Sequence, residues 1–357
     1  MRKSLFIYLG IAFGLGAAAC TSKSNETVRS LAQTTQVPTV TKSKGNYLGS
    51  NYKGNYVWGG AMNLAWNELN ENVLHEKVKL KTEDSVALKM ADKFNNPIFS
   101  KKDLDEKSYY VKSGYGQETV NAINQETKKK FPKKSFEDLQ LDLSPSDIIS
   151  YAYFLKEVEY LTLFEKKEML FEGKNVEGFY AKTKTQKDNI QVIKYEGDDK
   201  FIISLRLKEE QDQLILAKGF DMDEPENVLK EINEPSQASF RLGKPDQFAA
   251  PNLQLTHHRT YKEMIGKYLA NKGFESYFIA EMFENIKFEM DEKGAKAENE
   301  AVIVMSKSAE MPEPPKKFIL DKPYWVMMKR KESLNPYFIL GVKNTEVMKI
   351  ASTQEQK

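Results

Sequence analysis

Apolar positions along the chain follow a helical period in its first third and a strand period after about residue 147. One helical stripe comprises Val57, Trp58, Ala61, Met62, Ala65 and Leu69. A second helix is expected after the capping residues Asp84 and Ser85, and a third from Val120 to the basic run 128–130. The basic run suits the last turn of a helix because cations there are favoured by the helix dipole.

The later segments alternate as strands do. Residues 148–155, IISYAYFL, are aliphatic or aromatic apart from Ser150, without alternating polar positions. They predict a strand buried on both faces. Residues 189–197 and 200–209 predict a hairpin around Gly197-Asp198-Asp199. Residues 261–269 predict one late amphipathic helix that ends near Gly273. With strands at 285–291, 301–305, 323–330 and 336–343, the fold class is α+β, with helices mostly N-terminal and mixed or antiparallel sheets.

The N-terminus has the pattern of an export leader. Arg2 and Lys3 precede an apolar run, which ends in three alanines and Cys20. The pattern resembles a bacterial lipoprotein signal, which implies cleavage before Cys20 and a lipid on its thiol. We therefore expect a signal peptide at 1–19 and a lipidated, flexible tether at 20–55. The protein would lie in the bacterial cell envelope, at the outer membrane or cell surface rather than the inner membrane.

The composition of the chain excludes several kinds of partner and site. The chain has 357 residues, of which 40% are hydrophobic, enough for one large or two small domains. Its net charge of +2 leaves no basic patch, so nucleic acid is not an expected partner. Cys20 is the only cysteine, which excludes a disulfide within the chain and a cysteine-based metal site.

No pattern of an enzyme stands out. His75, His257 and His258 are the only histidines, and none belongs to a metalloprotease, esterase or phosphate-binding motif. A metal or general-base role for His257-His258 is conceivable, but an exposed polar junction is the preferred interpretation. We expect no catalytic residue, no metal and no cofactor.

The order of the later elements resembles that of the serpins. Helix 120–131, the central strand with Ala152, Tyr153, Phe154 and Lys156, and the hairpin at 190–207 follow in the family's order. Lys322-Pro323-Tyr324 and the strand at 336–344 continue it. Two departures are Tyr151 in place of the usual Asn and the inserted Leu155. The resemblance covers the C-terminal two-thirds and implies a serpin-like domain at 56–350, followed by a polar tail at 351–357.

That resemblance assigns a role to the segment after residue 291. Glu292-Lys293-Gly294 matches the family's Glu-x-Gly, which ends the strand before an exposed reactive-centre loop. In serpin inhibitors a protease cleaves this loop, and the loop inserts into the central sheet as an extra strand. The hinge residues would be Glu292, Gly294, Ala295 and Ala297. The scissile region would comprise Met305, Lys307, Ser308 and Ala309, with Lys307 suiting a trypsin-like and Met305 a chymotrypsin- or elastase-like protease.

Insertion constrains the residues that alternate along this segment. If alternation begins at Ala295, the inward set is Ala295, Ala297, Asn299 and Ala301, and the charged side chains point outward. A slip of one residue would bury Lys296, Glu298 and Glu300 instead. The charges would also slow insertion wherever the outer side of the sheet is covered.

Two functions are compatible with these patterns. The first is a lipid-anchored, serpin-like inhibitor of an extracellular serine or cysteine protease. The second is a non-inhibitory surface lipoprotein that uses the same fold for binding or structure, which the short region before residue 120 favours. Membership of another α+β family is a third alternative.

Overall fold

The computed structural model describes residues 5–17, 47–234, 239–293 and 314–351, with only the backbone given for 5–17. In these ranges the chain forms five α-helices and three β-sheets. The helices are α1 (Ala61–Leu69), α2 (Ser85–Asn95), α3 (Gly116–Lys130), α4 (Lys184–Asp188) and α5 (Pro225–Asn233). The α+β class is confirmed, and three of the five described α-helices, α1 to α3, precede residue 147, as the sequence predicts.

Sheet A has seven strands. Their order is β4 (Leu80–Lys81), β15 (Tyr268–Leu269), β16 (Tyr277–Met290), β1 (Leu5–Ala17), β6 (Ile148–Val158) and β5 (Tyr109–Tyr115), with β14 (Leu253–Thr260) also paired to β16. Strand β6 contains the run IISYAYF, in which every residue is buried. The prediction of a strand covered on both faces is confirmed.

Sheet B has eight strands, each antiparallel to its neighbours. Their order is β12 (Phe240–Arg241), β9 (Ile190–Gly197), β10 (Lys200–Leu205), β11 (Asp212–Lys218), β18 (Tyr324–Arg330), β19 (Pro336–Val342), β3 (Asn55–Gly59) and β2 (Ser50–Tyr52). The predicted hairpin is the pair β9 and β10, which turns at residues 198–199.

Sheet C is smaller and contains the one described parallel neighbour pair, β13 with β17. Its order is β17 (Lys317–Ile319), β13 (Gln247–Pro251), β8 (Lys174–Tyr180) and β7 (Glu165–Phe171). The main core lies between sheets A and B, where Phe288 of β16 stacks on Phe338 of β19 at 4.6 Å. Trp66 and Trp325 are both fully buried in this core.

Local chemistry explains two of the predicted helices. The Asp84 side chain accepts hydrogen bonds from the backbone N–H groups of Val86 and Ala87 and so caps α2. Helix α3 begins at Gly116, whose φ of +63° is unfavourable for residues with a Cβ. It ends at the basic run 128–130, as expected.

Two predicted helices differ from the structure. Val57 and Trp58 belong to β3, where they pair with Leu340 and Ile339, and the helix begins only at Ala61. Residues 261–269 form turns and the short β15 instead of a helix, because the Tyr261 N–H donates to Met282 O of β16. Tertiary pairing thus overrides the helical period in both segments.

The predicted tether at 20–55 is also corrected, because its last residues belong to the folded part. Tyr47 is 2% exposed and packs edge-on against Trp58 at 4.7 Å, and β2 continues sheet B at 50–52. The aromatic residues of this segment therefore belong to the core, and the folded part begins at least as early as residue 47. Among the described residues, no helix is both long and apolar enough to cross a membrane.

Candidate functional site

The candidate site is a slot in sheet A between β6 and β16, which β1 occupies. Strand β1 is antiparallel to both neighbours, so β6 and β16 run parallel to each other. In register, Ile11 lies opposite Ala152 on one side and Glu284 on the other. No other described strand connects these two halves of the sheet. The slot is therefore as wide as one strand and accepts a strand antiparallel to both walls.

The core-facing floor of the slot is closed. Ser150, Ala152 and Phe154 of β6 are at most 1% exposed, as are Ile286 and Phe288 of β16. The Ser150 hydroxyl donates to Ala65 O at 2.6 Å and ties the floor to α1. Small or apolar side chains are the only ones that this floor can receive without burying an unpaired charge.

The outer face of the slot is covered at one end only. There a second apolar cluster joins Ile149, Tyr151 and Tyr153 of β6 to α3 and the segment after it. Phe131 meets Tyr153 edge-on at 5.0 Å. At this end a strand in the slot would be covered on both faces.

At the other end the outer face is charged. Glu157 of β6 contacts Lys134 at 3.0 Å and keeps 39% of its side chain exposed. Across the slot, Glu289 is half-buried and Lys287 is exposed on the same face of β16. A strand in the slot would meet two carboxylates, one of them already paired with Lys134, and the Lys287 ammonium group there.

Strand β6 is anchored to sheet B by a buried ion pair. The Lys156 ammonium lies 2.6 Å from the Asp212 carboxylate of β11. The Tyr337 hydroxyl of β19 donates to the same carboxylate at 3.2 Å. Because this pair is shielded from water, loss of one partner would leave an uncompensated charge. The contact fixes one wall of the slot against the core.

The other wall carries a buried carboxyl group. Glu284 of β16 accepts a hydrogen bond from the Tyr261 hydroxyl at 2.9 Å, while its Oε1 atom has no partner among the described residues. Burial raises the pKa of Glu284 to about 7, and the opposing effects of Arg259 and the Tyr261 hydrogen bond are smaller. Glu284 is thus neutral below pH 7, with its charge disfavoured by desolvation.

The two adjacent histidines have separate structural environments. His257 is 6% exposed in β14, and its Nε2 lies 2.8 Å from Ser50 Oγ. Burial lowers the pKa of His257 to about 4. The expectation of an exposed junction is therefore wrong for His257, whose ring is buried by β2, whereas His258 is exposed beside Asn285. Among the described residues, no three groups are placed to hold a metal ion.

The base of the expected reactive loop is only partly described. Glu292 is 7% exposed, and its backbone oxygen accepts a hydrogen bond from the Phe164 N–H at 3.1 Å. Its carboxylate lies 3.4 Å from the ammonium group of Lys166 in β7. Asp291 accepts the Lys293 N–H at 2.9 Å and shapes the end of β16. The remaining residues singled out from the sequence lie outside the described ranges: Cys20, Gly294, Ala295, Ala297, Met305, Lys307, Ser308 and Ala309.

The slot is the feature that sequence patterns missed. Residues 5–17 form an uninterrupted apolar run. Such a run is typical both of an export leader and of a strand buried on both faces, so the sequence alone does not distinguish them. Glu157, Glu284, Lys287 and Glu289 line the slot, but in the sequence they are ordinary polar positions of alternating strands. Only the pairing of distant strands brings them together.

Comparison with known proteins gives a likeness of fold only. No family model matches the sequence, and neither does any curated protein. Among solved structures, the chain is similar to Serpin48 of the insect Tenebrio molitor, with 13% identity over 82% of this chain and 92% of that one and a TM-score of 0.46. It is also similar to mouse protein-Z dependent protease inhibitor, with 14% identity, 82% and 91% coverage and a TM-score of 0.49.

A third similar structure is Tengpin, a thermophilic serpin in its native state, with 14% identity, 82% and 89% coverage and a TM-score of 0.48. The expected serpin-like fold agrees with these similarities. Because all three TM-scores are below 0.5, the proposal below rests on the strand order and the slot.

Proposed function

We propose that the protein is a serpin-like protease inhibitor whose cleaved loop inserts into the slot between β6 and β16. The observation that carries this proposal is a strand held between two parallel strands, one of which leads directly into the expected loop. Such a slot offers unpaired backbone groups on both walls when it is empty, and these groups favour the addition of a strand.

Chain connectivity makes the loop a suitable occupant. Strand β16 ends at Met290, so residues 291–294 can serve as a four-residue hairpin connection. The next residues would then run antiparallel to β16, in the direction that β1 has in the slot. Strand β1 has 13 residues, and the segment 295–307 also has 13.

Processing of the leader would empty the slot. Cleavage before Cys20 removes residues 1–19, which include the whole of β1. The lipid on Cys20 would hold the remaining chain on the bacterial envelope, facing extracellular proteases. Export and activation are then linked, because the segment that directs export is the one that fills the slot.

The proposed inhibitory reaction begins with cleavage of the loop by the target protease. A serine or cysteine protease attacks a peptide bond near Ser308–Ala309, and the loop carbonyl becomes an ester or thioester on the enzyme. Insertion of residues 295–307 then carries the attached protease away from its original position before water completes the hydrolysis. Lys307 suits a trypsin-like enzyme, and Met305 suits a chymotrypsin- or elastase-like enzyme.

The test uses the full chain, expressed in a bacterium with its own leader and extracted from the envelope. Its N-terminal mass is measured first and is expected to correspond to lipidated Cys20. Incubation with trypsin, chymotrypsin and elastase should give, with one of them, a covalent band on a denaturing gel. Loss of that band when the protease's nucleophile is blocked is the control.

Two results would contradict the proposal. An N-terminus at Met1 would show that β1 is retained and that the slot is not freed by processing. A clean cut between residues 300 and 312 without any covalent band would favour the second candidate, a non-inhibitory envelope lipoprotein. The short helical region before β6, with three described α-helices, is the feature that favours this candidate.

A further inference from the structure

We propose that a pocket on sheet B binds a small aliphatic carboxylate and that Lys329 holds its carboxylate group. The pocket has a volume of about 340 Å³ and lies between β9, β11, the end of β18 and the C-terminal end of α5. Small-molecule sites span roughly 300–1,000 Å³, so this pocket suits a ligand at the small end of that range. The pocket is separate from the slot, and the proposal does not rest on the proposed inhibition.

The pocket lies on the face of sheet B that is turned away from sheet A. Met328 of β18 pairs with Phe338, whose ring stacks on Phe288 of sheet A. Neighbouring residues of a strand point to opposite faces, so the side chain of Lys329 leaves β18 on the other side. There it pairs across the strands with Gln213 of β11, which lines the same pocket.

Lys329 carries a buried amino group without a negatively charged partner. The residue is 4% exposed, and its Nζ atom donates one long hydrogen bond, of 3.4 Å, to Gln213 Oε1. In the described part of the chain, no carboxylate forms a salt bridge with it. Burial lowers the pKa of Lys329, and no charged neighbour contributes to this shift. An anion in the pocket would favour the charged form of the group.

The other buried lysine of the described ranges shows what Lys329 lacks. Lys218 is 3% exposed, and its ammonium group lies 2.7 Å from the Asp321 carboxylate and 3.0 Å from that of Asp199. A buried charge costs stability unless it is paired and hydrogen-bonded. Lys329 is equally buried and unpaired, which points to a partner that is not part of the chain.

The acidic residues next to the pocket are engaged elsewhere. Asp212 precedes Gln213 but binds Lys156 at 2.6 Å, on the side of sheet A. Glu231 of α5 binds Lys194 at 2.5 Å. The described lining contains no carboxylate, and the exposed Lys331 adds a second ammonium group to it. The pocket is therefore electrostatically suited to an anion.

The pocket also has apolar walls. Ile193 of β9 and Ile232 of α5 are half-buried and line it. Leu334 lines it as well and is 67% exposed. A short aliphatic chain would cover these side chains while its carboxylate reaches Lys329. The combination favours an aliphatic carboxylate over an inorganic anion.

Two hydrogen bonds hold the walls in place without a ligand. Asn233 Nδ2, at the end of α5, donates to Leu334 O at 2.9 Å. Gln191 Nε2 of β9 donates to Ser239 Oγ at 3.0 Å. All four residues line the pocket. Binding to a pocket that is already formed avoids the entropy cost of ordering it.

The test is titration calorimetry of the full, unprocessed chain with hexanoate. Hexan-1-ol has the same aliphatic chain without the carboxylate, and acetate has the carboxylate without that chain. Hexanoate should bind with a stoichiometry of one. Its affinity should exceed that of either control compound by about tenfold or more, because only hexanoate satisfies both halves of the pocket.

Lys329→Met removes the charge and keeps an unbranched side chain. It should weaken hexanoate binding by about tenfold or more. It should also raise the urea midpoint of the unliganded protein, because it replaces an unpaired buried amino group by an apolar one. Lys230→Met is the matched control on α5, where Lys230 is 75% exposed, and it should change neither quantity.

Three results would overturn the proposal. The first is the absence of hexanoate binding, which would exclude this class of ligand. The second is equal affinity for hexanoate and hexan-1-ol, which would remove the role of the charge. The third is equal affinity of the wild type and Lys329→Met for hexanoate, which would place the ligand elsewhere.

Discussion

Sheets A and B differ in how their central strands are connected. In sheet B, β10, β11, β18 and β19 pair in an unbroken antiparallel series, and the last two are almost wholly buried. In sheet A, two sets of strands meet only through β1, among the residues that the structure describes. Sheet B is therefore continuous through its centre, whereas the two halves of sheet A are joined by a single strand from residues 5–17.

The largest loss of stability is expected from a substitution in sheet B. Trp325 is fully buried, packs edge-on against Tyr56 at 5.3 Å and donates to Asp221 O at 2.9 Å. Trp325→Ala should lower the free energy of unfolding by about 3–5 kcal/mol, as expected for a large cavity. Urea unfolding measures this change, with the exposed Leu334→Ala as the control. A loss below about 1 kcal/mol would contradict the role given to sheet B.

A substitution at Glu284, in the slot wall of sheet A, should have a smaller effect on stability, and it should stabilise the protein instead of destabilising it. Burial raises the pKa of Glu284 to about 7 from an ordinary value near 4.5. The folded state therefore binds the proton more tightly, so its contribution to stability is complete below about pH 4.5 and is lost as pH rises through 7. Glu284→Gln should remove this loss and stabilise the protein at pH 8 by on the order of 2–3 kcal/mol.

The matched control is Glu289→Gln, on the opposite face of the same strand. Melting between pH 5 and pH 8 should show a flatter profile for Glu284→Gln than for the wild type, and no such flattening for the control. Equal profiles for wild type and Glu284→Gln would refute the assignment of a buried, neutral carboxyl group to this wall.

The smallest expected effect concerns β1 itself. In the unprocessed chain, Ile11→Pro removes a backbone donor in the middle of the slot and should cost about 1–3 kcal/mol. The damage should remain local, so hydrogen exchange should accelerate in β6 and β16 while sheet B stays protected. Gln33→Pro, outside β1, is the control. Equal acceleration in sheets A and B would remove the distinction between them.

The elements that the sequence predicted correctly are those with local signals. Asp84 caps α2, the run 148–154 is buried on both faces, and the β9–β10 hairpin turns at Gly197-Asp198-Asp199. The errors occurred where distant strands decide the structure. Val57 and Trp58 pair with β19, and Tyr261 is held by Met282.

The candidate site was predictable only in part. Glu292 was identified from its Glu-x-Gly motif, and the structure places it, buried, at the end of β16. The slot was not predictable, because it depends on a strand contributed from residues 5–17, more than 130 positions before β6.

The central claim is that the slot accepts residues 295–307 once the loop is cut, and amide hydrogen exchange tests it most directly. The chain extracted from the envelope is measured before and after elastase cleavage between residues 305 and 309. Insertion predicts that amides along Ile148–Val158 and Tyr277–Met290 become strongly protected after the cut, with sheet B unchanged. Equal exchange of both strands before and after cleavage would contradict the claim.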